Sequence, residues 1–267
     1  MKITTWNINS VRLRLPLIKR FAEEIAPDII CLQEIKVITD LFPGEDIAAL
    51  GYPYQAVAGM KGYNGVAILS RVPLLKSGTK DWCGKQDCRH IFATIDGGKA
   101  GPVEIHNFYI PAGGDIPDPE ENEKFAHKLQ FLKEITKWTK GQREKSTNRI
   151  LVGDLNIAPL ETDVWSHKQL LKVVSHTPIE VDGLNKFQAA GAWIDAVRKI
   201  IPPEEQIFSW WSYRSKDWTI NDRGRRLDHI WVNEPMRDKI TDVQILREAR
   251  SWEKPSDHVP VTVTIKL

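Results

Sequence analysis

The chain has 267 residues, of which 42% are hydrophobic and 27% are charged, and its formal net charge is +2. No apolar run approaches the roughly 20 residues that cross a bilayer, so the composition excludes a membrane protein. The net charge is too small to indicate a nucleic-acid partner by itself, and three cysteines provide no disulfide framework. The N-terminus carries no secretory signal, so we expect a cytoplasmic protein with a single domain spanning residues 1–267.

Short runs of β-branched and aromatic residues predict strands in both halves of the chain. In chain order they cover residues 2–6, 29–33, 65–70, 90–95, 103–110, 149–155, 207–213, 227–232, 243–246 and 259–267. Apolar residues at helical spacing predict helices around residues 17–25, 125–135 and 193–200. About ten strands with a few interposed helices indicate an α/β (α+β) fold, in which two sheets pack face to face beneath outer helices.

Polar side chains lie near one end of several predicted strands. These residues are Asn7, Asn9, Glu34, Asp154, Asn156, Asp228, Asp257 and His258. Each one alone is explained at least as well by a structural role, since Asn and Asp side chains often hydrogen-bond their own backbone in turns. Taken together, hard oxygen ligands that converge on one edge of a sheet predict a Mg²⁺ site, with water and phosphate filling the other metal positions.

Asp257 and His258 directly precede the last predicted strand. Neighbours in an extended chain point to opposite faces, so Asp257 is a poor partner for the His258 ring. Asp228 is better placed to orient that ring and to favour its protonated form through an opposite charge. A lone histidine is more commonly a structural residue, so this prediction depends on the joint pattern. The Asp257 side chain is then expected either to bind a metal or to hydrogen-bond the backbone.

The segment "FSWWSYRSKDWTINDRGRRLDH" combines aromatic and basic side chains. Flat rings can stack on bases or fill the gap left by a missing base, and cations meet phosphates. The alternative is a tryptophan-rich core beside a solvated charged loop, and for Trp211 and Trp218 the two interpretations are equally balanced. This segment therefore predicts either a nucleic-acid interface or a buried aromatic core.

Eight stretches in chain order resemble the exonuclease III family of apurinic/apyrimidinic endonucleases, within the endonuclease/exonuclease/phosphatase superfamily. They are "TWNINSVRLRLP", "PDIICLQEIKV", "LFPGEDIAALGY", "KGYNGVAILS", "VGDLNIAP", "FSWWSYRSKDW", "RGRRLDHIWV" and "EKPSDHVPV". The resemblance implies a DNase I-like four-layer α/β/β/α sandwich of two packed, mainly antiparallel sheets. It also implies a Mg²⁺-dependent monomeric nuclease, in which Mn²⁺ can substitute. Its substrate would be duplex DNA, incised 5′ to abasic sites, degraded from 3′ ends, and cleared of blocked 3′ termini.

The same resemblance assigns roles to individual residues. Glu34 would be the principal metal ligand, with Asn9 assisting and Asp257 as an outer ligand. Asp154 and Asn156 would position and activate the attacking water, supported by Asn7. Tyr109 would contact the phosphate, and Asp228 and His258 would form a pair. The residues expected to contact DNA are Arg12, Trp210, Arg214, Lys216, Asn221, Arg223, Arg225 and Leu227.

Two residues depart from the family pattern. Ser10 replaces a usual glycine and could alter the turn that holds Asn9. Arg225 stands where relatives place an aromatic or aliphatic wall of the abasic-sugar pocket, beside Trp210 and Leu227. Two other functions stay open: a superfamily phosphatase or sphingomyelinase, which usually has a histidine near Tyr109, and a catalytically inactive nucleic-acid-binding regulator. An RNA target also stays open, because the expected catalytic contacts are to phosphate.

Overall fold

Two six-stranded sheets form the centre of the structure, a computed structural model that describes residues 1–143, 147–215 and 217–267. The strands are β1 Lys2–Asn7, β2 Ile29–Gln33, β3 Tyr54–Ala58, β4 Val66–Ser70, β5 Leu74–Thr79, β6 His90–Asp96, β7 Pro102–Tyr109, β8 Asn148–Asp154, β9 Ile194–Asp195, β10 Asp228–Val232, β11 Ile240–Ile245 and β12 Val261–Ile265. The first sheet has the order β11-β12-β1-β2-β4-β3, and the second has the order β5-β6-β7-β8-β10-β9. Only the pairs β1–β2 and β7–β8 are parallel among the described strands, so both sheets are mainly antiparallel.

Helices lie in the loops and on the outer faces of the sheets. The α-helices are α1 Leu15–Glu24, α2 Gly44–Ala49, α3 Glu123–Lys140, α4 His167–Leu170, α5 Pro178–Gly191, α6 Ala196–Ile200 and α7 Trp218–Asn221. Short 3-10 helices cover Thr39–Leu41, Gly98–Ala100, Glu161–Asp163, Glu234–Lys239 and Arg247–Ser251. None of the helices in the described ranges combines the length and apolar character that a membrane crossing requires.

The alternation of side chains along the strands builds the four layers. In β2, Ile29 and Cys31 belong to the core between the sheets, whereas Ile30 and Leu32 pack with the buried face of α1. Successive strand residues face opposite sides of a sheet, so an entirely apolar strand can bury both of its faces. On the other sheet, Leu151 packs in the same way with the buried residues of α3 and α5. The predicted four-layer arrangement is confirmed.

Local sequence signals explain where the two long outer helices begin. The Asn122 side chain accepts a hydrogen bond from the Lys124 backbone nitrogen and caps α3. The other long helix, α5, begins with Pro178, and Thr177 and Glu180 form a capping box at its start. These caps satisfy backbone nitrogens that have no partner within the first helical turn.

Several sequence predictions need correction. Residues 207–213 form no strand; Trp210 makes only isolated backbone bridges, to Arg225 and to His258. Within residues 193–200, Ile194–Asp195 is a short strand and only Ala196–Ile200 is α-helical. Strands β3 and β5 and helix α5 were not predicted. The remaining predicted strands and the helices around residues 17–25 and 125–135 are confirmed, with their ends shifted by a few residues.

Candidate active site

Strand ends from both sheets meet at one edge of the sandwich. Asn7 ends β1 and Glu34 follows β2, and these two strands are parallel. Tyr109 ends β7 and Asp154 ends β8, the other parallel pair, in which the two residues are direct partners. Parallel strands present their carboxyl ends at the same edge, so each sheet delivers two polar residues there. Asp228 begins the antiparallel strand β10 opposite Asp154 and therefore lies at the same edge.

A glycine allows this close arrangement in the second sheet. Gly153 adopts a φ of 149°, and a Cβ atom there would lie 2.0 Å from the Phe108 carbonyl oxygen. No side chain fits at that distance, so β7 and β8 can approach only with glycine at this position. The approach places Asp154 beside Tyr109 at the ends of the two strands.

Asn7 links the two sheets at the site. Its Nδ2 atom donates to Glu34 Oε2 at 3.0 Å and to Asp154 Oδ2 at 2.9 Å. Its Oδ1 atom accepts a hydrogen bond from the Asn9 backbone nitrogen at 3.1 Å. One buried amide therefore fixes the separation of two carboxylates that would otherwise repel each other.

Asp228 and His258 form the buried pair that the sequence predicts. His258 Nδ1 lies 2.8 Å from Asp228 Oδ2, which also accepts a hydrogen bond from the Ser209 hydroxyl at 2.7 Å. Burial disfavours the charged ring, but Asp228, Asp154 and Asp257 together outweigh burial and raise the pKa of His258 to about 10. The ring is therefore an imidazolium at neutral pH, with Nδ1–H donating to Asp228.

Asp154 lies on the other side of the same ring. Its Oδ2 atom is 3.7 Å from His258 Nε2, and its Oδ1 atom accepts a hydrogen bond from the Asn156 backbone nitrogen at 3.0 Å. Burial raises the pKa of Asp154 to about 7, with Asp228 adding to the shift and His258 opposing it. A carboxylate with this pKa can exchange a proton near neutral pH.

Asn156 and Tyr109 complete the polar surface around Asp154. Asn156 Nδ2 donates to the Ile110 carbonyl at 2.9 Å, and the Asn156 carbonyl accepts from Lys128 Nζ at 2.8 Å. Burial and the carboxylates of Glu34 and Asp154 raise the pKa of Tyr109 well above its ordinary value. The Tyr109 hydroxyl therefore keeps its proton and is available as a hydrogen-bond donor.

Asn9 connects Asp257 to Lys36. Its Nδ2 atom donates to Asp257 Oδ1 at 2.9 Å, and its Oδ1 atom accepts from Lys36 Nζ at 2.7 Å. The same ammonium lies 2.9 Å from Glu34 Oε1. The second Asp257 oxygen accepts from the Trp210 indole nitrogen at 3.0 Å. Oxygen atoms of Glu34 and Asn9, the two residues that the resemblance names as metal ligands, thus converge on the Lys36 ammonium.

Two sets of donors at this edge could hold a divalent metal. Asp154, Asp228 and His258 offer ligand atoms within 4.8 Å of one another. The oxygen atoms of Glu34 and Asn9 around Lys36 form the second set. The atoms of both sets already have partners, since Asp228 and His258 bond each other and the oxygen atoms of Glu34 and Asn9 bond Lys36.

These residues surround a cavity of about 1060 Å³. Of the predicted site residues, it is lined by Asn7, Glu34, Tyr109, Asp154, Asn156, Trp210, Arg214, Asn221, Arg223, Arg225, Leu227, Asp257 and His258. Three others do not line it: Asp228 is buried and bonds His258, Asn9 is half-buried and donates to Asp257, and Arg12 is exposed. Lys216 lies outside the described residues.

The aromatic segment contributes both to the cavity, as a nucleic-acid interface would, and to the tryptophan-rich core that was the alternative. Trp210 lines the cavity, and Arg225 stacks on its ring with 5.1 Å between the guanidinium carbon and the ring centroid. Trp211 is buried, contacts Trp218 and Phe208, and has its indole nitrogen bonded to Asp222. Trp211 is therefore largely a core residue.

Sequence reasoning missed three supporting side chains. Ser209 bonds Asp228, Lys36 bridges Glu34 and Asn9, and Lys128 holds the Asn156 carbonyl. Lys36 lies two positions beyond a predicted ligand, which was an available signal. Neither Ser209 nor Lys128 belongs to the acid and amide pattern, so no local signal pointed to them.

Two packed sheets with acid, amide and histidine groups at one edge define a hydrolase of phosphate esters. The chain belongs to the Endonuclease/Exonuclease/phosphatase family, whose match covers residues 4–258. It is similar to exodeoxyribonuclease III of Haemophilus influenzae, at 32% identity over 100% of both chains. Among solved structures, it is similar to the 3′ phosphatase NExo from Neisseria bound to a product DNA hairpin and to an AP endonuclease from Archaeoglobus fulgidus. Each of these two structures has 31% identity, a TM-score of 0.90 and coverage of 100% of both chains.

Proposed function

We propose that this chain is a DNA-repair nuclease that hydrolyses phosphodiester bonds in duplex DNA. Its activities are incision 5′ to abasic sites, removal of nucleotides from 3′ ends and clearing of blocked 3′ termini. The full-length similarity to exodeoxyribonuclease III and to the AP endonuclease structure supports this assignment. We also propose that the chain acts as one catalytic domain over residues 1–267 and as a monomer.

One observation carries the proposal: two sets of hydrogen bonds, joined by an ion pair, connect the acids of both sheets around a single cavity. They run from Glu34 through Asn7 to Asp154, and from His258 to Asp228. His258 and Asp154 face each other across 3.7 Å. A phosphate placed there meets a proton acceptor and a proton donor at once, which phosphodiester hydrolysis requires.

Asp154 is the proposed base that positions and deprotonates the attacking water, aided by Asn156. Its pKa of about 7 matches this task near neutral pH. His258, as an imidazolium held by Asp228, donates to a non-bridging phosphate oxygen as negative charge develops there. The Tyr109 hydroxyl donates to the same phosphate.

Glu34 is the proposed principal ligand of Mg²⁺, for which Mn²⁺ can substitute, with Asn9 beside it. The ion, when bound, neutralises phosphate charge and favours departure of the 3′ oxygen. Lys36 now bonds both ligand oxygens and must release them when a metal binds. Both Asp257 oxygens already accept hydrogen bonds, which supports a contact to the metal through water only.

Cations and rings along the cavity support duplex DNA as the substrate. Arg214, Arg223 and Arg225 line it together with Trp210, Asn221 and Leu227. Arg223 also stacks on Trp165, with 4.6 Å between the guanidinium carbon and the ring centroid. Guanidinium groups bind phosphates, and flat rings fill the space of a missing base. Arg12 and Lys216 stay predictions as DNA contacts.

The site argues against the two other functions. Lipid and inositol phosphatases of this superfamily usually have a histidine where β7 of this chain ends in Tyr109. An inactive regulator has usually lost acids of the edge, whereas Glu34, Asp154, Asp228 and His258 are all present and hydrogen-bonded or ion-paired to one another or to Asn7.

The experiment uses a duplex oligonucleotide with one stable abasic analogue, with and without Mg²⁺. We expect a nick at the analogue that requires the metal and falls by about 10²- to 10⁴-fold in His258→Asn and in Glu34→Ala. Glu45→Ala, an exposed change of the same charge on α2, is the matched control and should cut normally. Cutting without metal, or normal cutting by the two site variants, would reject the assigned site. Binding without cutting would favour the regulatory function.

A further inference from the structure

Arg225 occupies the cavity wall in an unusual electrostatic state. Its guanidinium stacks on Trp210, and its Nη1 atom donates to the Val174 carbonyl at 3.0 Å and to the Ser175 hydroxyl at 2.7 Å. Both acceptors are uncharged. Ser175 is itself held, because its backbone nitrogen donates to both oxygens of buried Glu180. The guanidinium therefore has a fixed position; Glu180 attracts it through space, but that carboxylate already pairs with Lys128.

No carboxylate within the described parts of the chain forms an ion pair with Arg225. Its Nε atom is buried and has no hydrogen-bond partner among those residues. The adjacent Arg226 differs, because it is paired with both Asp163 and Asp195. A largely buried guanidinium without an anion is unfavourable. In a cavity that opens to substrate, this favours a site where the substrate supplies the anion.

Backbone pairing places Arg225 close to the catalytic histidine. Arg225 bridges to Trp210, and Trp210 bridges to His258. Adjacent paired segments are about 4.8 Å apart, so the Arg225 backbone lies on the order of 10 Å from that of His258. The arginine side chain, which lies over the Trp210 ring, lines the same cavity as His258 and Asp154. It therefore lines the same cavity in which the water activated by Asp154 would attack the phosphorus.

We propose that Arg225, with Ser175 and Trp210, forms a subsite for a terminal 3′-phosphate. The subsite makes the chain favour 3′-phosphate ends over internal abasic sites. This inference rests on the proposed nuclease function. A terminal phosphate carries a charge of about −1.5 to −2 at neutral pH, more than the single charge of a phosphodiester, and the Nη2 atom of Arg225 is left to donate to its oxygens. An abasic sugar is uncharged and offers the guanidinium no such partner.

The reaction at such an end uses the same groups as phosphodiester cleavage. The oxygen of water bonds to phosphorus while the bond from phosphorus to the 3′ oxygen breaks. Asp154 takes the proton of the water, and the 3′ oxygen receives a proton from solvent. The products are a 3′-hydroxyl end and inorganic phosphate, so no further reactant is needed.

The test compares two substrates with the full chain in Mg²⁺. One is a nicked duplex with a 3′-phosphate at the nick, and the other is a duplex with one stable abasic analogue. We expect the ratio of their kcat/KM values, 3′-phosphate over abasic, to fall by about 10- to 100-fold in Arg225→Leu. Arg225→Lys keeps the charge without the planar guanidinium that Val174 and Ser175 hold in place, and it should give an intermediate ratio.

Arg20→Leu is the matched control. Arg20 also stacks on a tryptophan, with 4.3 Å between its guanidinium carbon and the Trp252 ring centroid, but it lies on α1 outside the cavity. Its loss removes the same charge, and the ratio should stay at the wild-type value. Inhibition by inorganic phosphate gives a second measurement, and its inhibition constant should rise about tenfold in Arg225→Leu.

The outcomes separate the two proposals. An unchanged substrate ratio and an unchanged phosphate inhibition constant in Arg225→Leu would overturn the subsite while leaving the nuclease intact. Equal losses on both substrates would also overturn it, by making Arg225 a general DNA contact. Wild-type protein that cuts neither substrate would refute the nuclease function and the subsite with it. If Arg225→Leu fails to fold, Ser175→Ala removes one of the hydrogen bonds that fix the guanidinium, and the same fall in ratio, smaller in size, is expected.

Discussion

The buried pair of Lys128 and Glu180 provides a quantitative test of how the site is supported. Both side chains are fully buried, and Lys128 Nζ bonds Glu180 Oε1 and the carbonyls of Ala112 and Asn156. Glu180→Gln keeps the shape but leaves the ammonium without its anion. Breaking a buried pair from one side costs about 3–5 kcal/mol, because an uncompensated charge remains inside the protein.

Thermal unfolding measures this cost directly. With an unfolding entropy of about 2.1 cal/mol/K per residue, a loss of 3–5 kcal/mol corresponds to a fall in Tm of about 5–9 °C for a chain of 267 residues. Asp182→Asn is the matched control, since Asp182 on the same helix pairs with Lys186 in solvent, where both side chains are more than half exposed. Exposed pairs contribute about 0.2–1 kcal/mol, so the control should shift Tm by no more than a few degrees.

A double-mutant cycle with Lys128→Met isolates the interaction. The double variant should be more stable than the sum of the two single changes predicts, because it buries no unpaired charge. If Glu180→Gln lowers the free energy of unfolding by no more than Asp182→Asn does, the reasoning is refuted. Nuclease activity should also fall in Glu180→Gln, since Lys128 holds the backbone of Asn156 at the site.

Three further predictions concern the edge of the sandwich and its support. Lys36→Met removes the ammonium that competes for Glu34 and Asn9, so Mn²⁺ should bind about two- to fivefold more tightly in calorimetric titration; weaker binding would contradict this. Burial alone would raise the pKa of Asp163, but Arg226 and Arg198 outweigh it and lower that pKa. The stability from Asp163 is therefore present above the unfolded pKa of about 3.9 and is lost as pH falls through the lower folded value, so urea unfolding of Asp163→Asn should show less acid dependence than wild type. Ser10 has a φ of 87°, a region that favours glycine. Ser10→Gly should therefore change the free energy of unfolding by about 0 to +1 kcal/mol. A clear loss of stability would show that the serine is not strained.

Strands that are buried on both faces were predictable because their sequences are continuously apolar. The run from Ile29 to Gln33 is buried throughout and was predicted with its observed ends. The edge strand Leu74–Thr79 is mostly exposed and contains lysine, serine and glycine, so it has no such signal. Residues 207–213 were predicted as a strand but do not form one. Their aromatic residues pack around the site without a continuous strand partner.

The acids of the site were predictable, whereas the groups that hold them were not. Asp228 was chosen over Asp257 as the partner of His258 from strand geometry, and the 2.8 Å contact confirms that choice. Lys128 lies on α3, which was predicted, but Glu180 and Ser175 lie on α5 and in the loop before it, which the hydrophobic pattern did not resolve. Their role depends on long-range packing of α3 and α5 against the site, which no local window of sequence contains.

Backbone strain at the edge shows how the polar groups are held ready for substrate. Five residues other than glycine have a left-handed backbone there: Asn9, Ser10, Glu34, Lys36 and Asn156. Each such conformation costs on the order of 1–3 kcal/mol and persists only where surrounding contacts impose it. The loops after β1 and β2 impose it on each other, because Ser10 N donates to Glu34 O at 2.8 Å and Val11 N donates to Ile35 O at 3.1 Å. Folding itself therefore sets the positions of Glu34 and Asn9, so a ligand of these two side chains would not have to order the loops on binding.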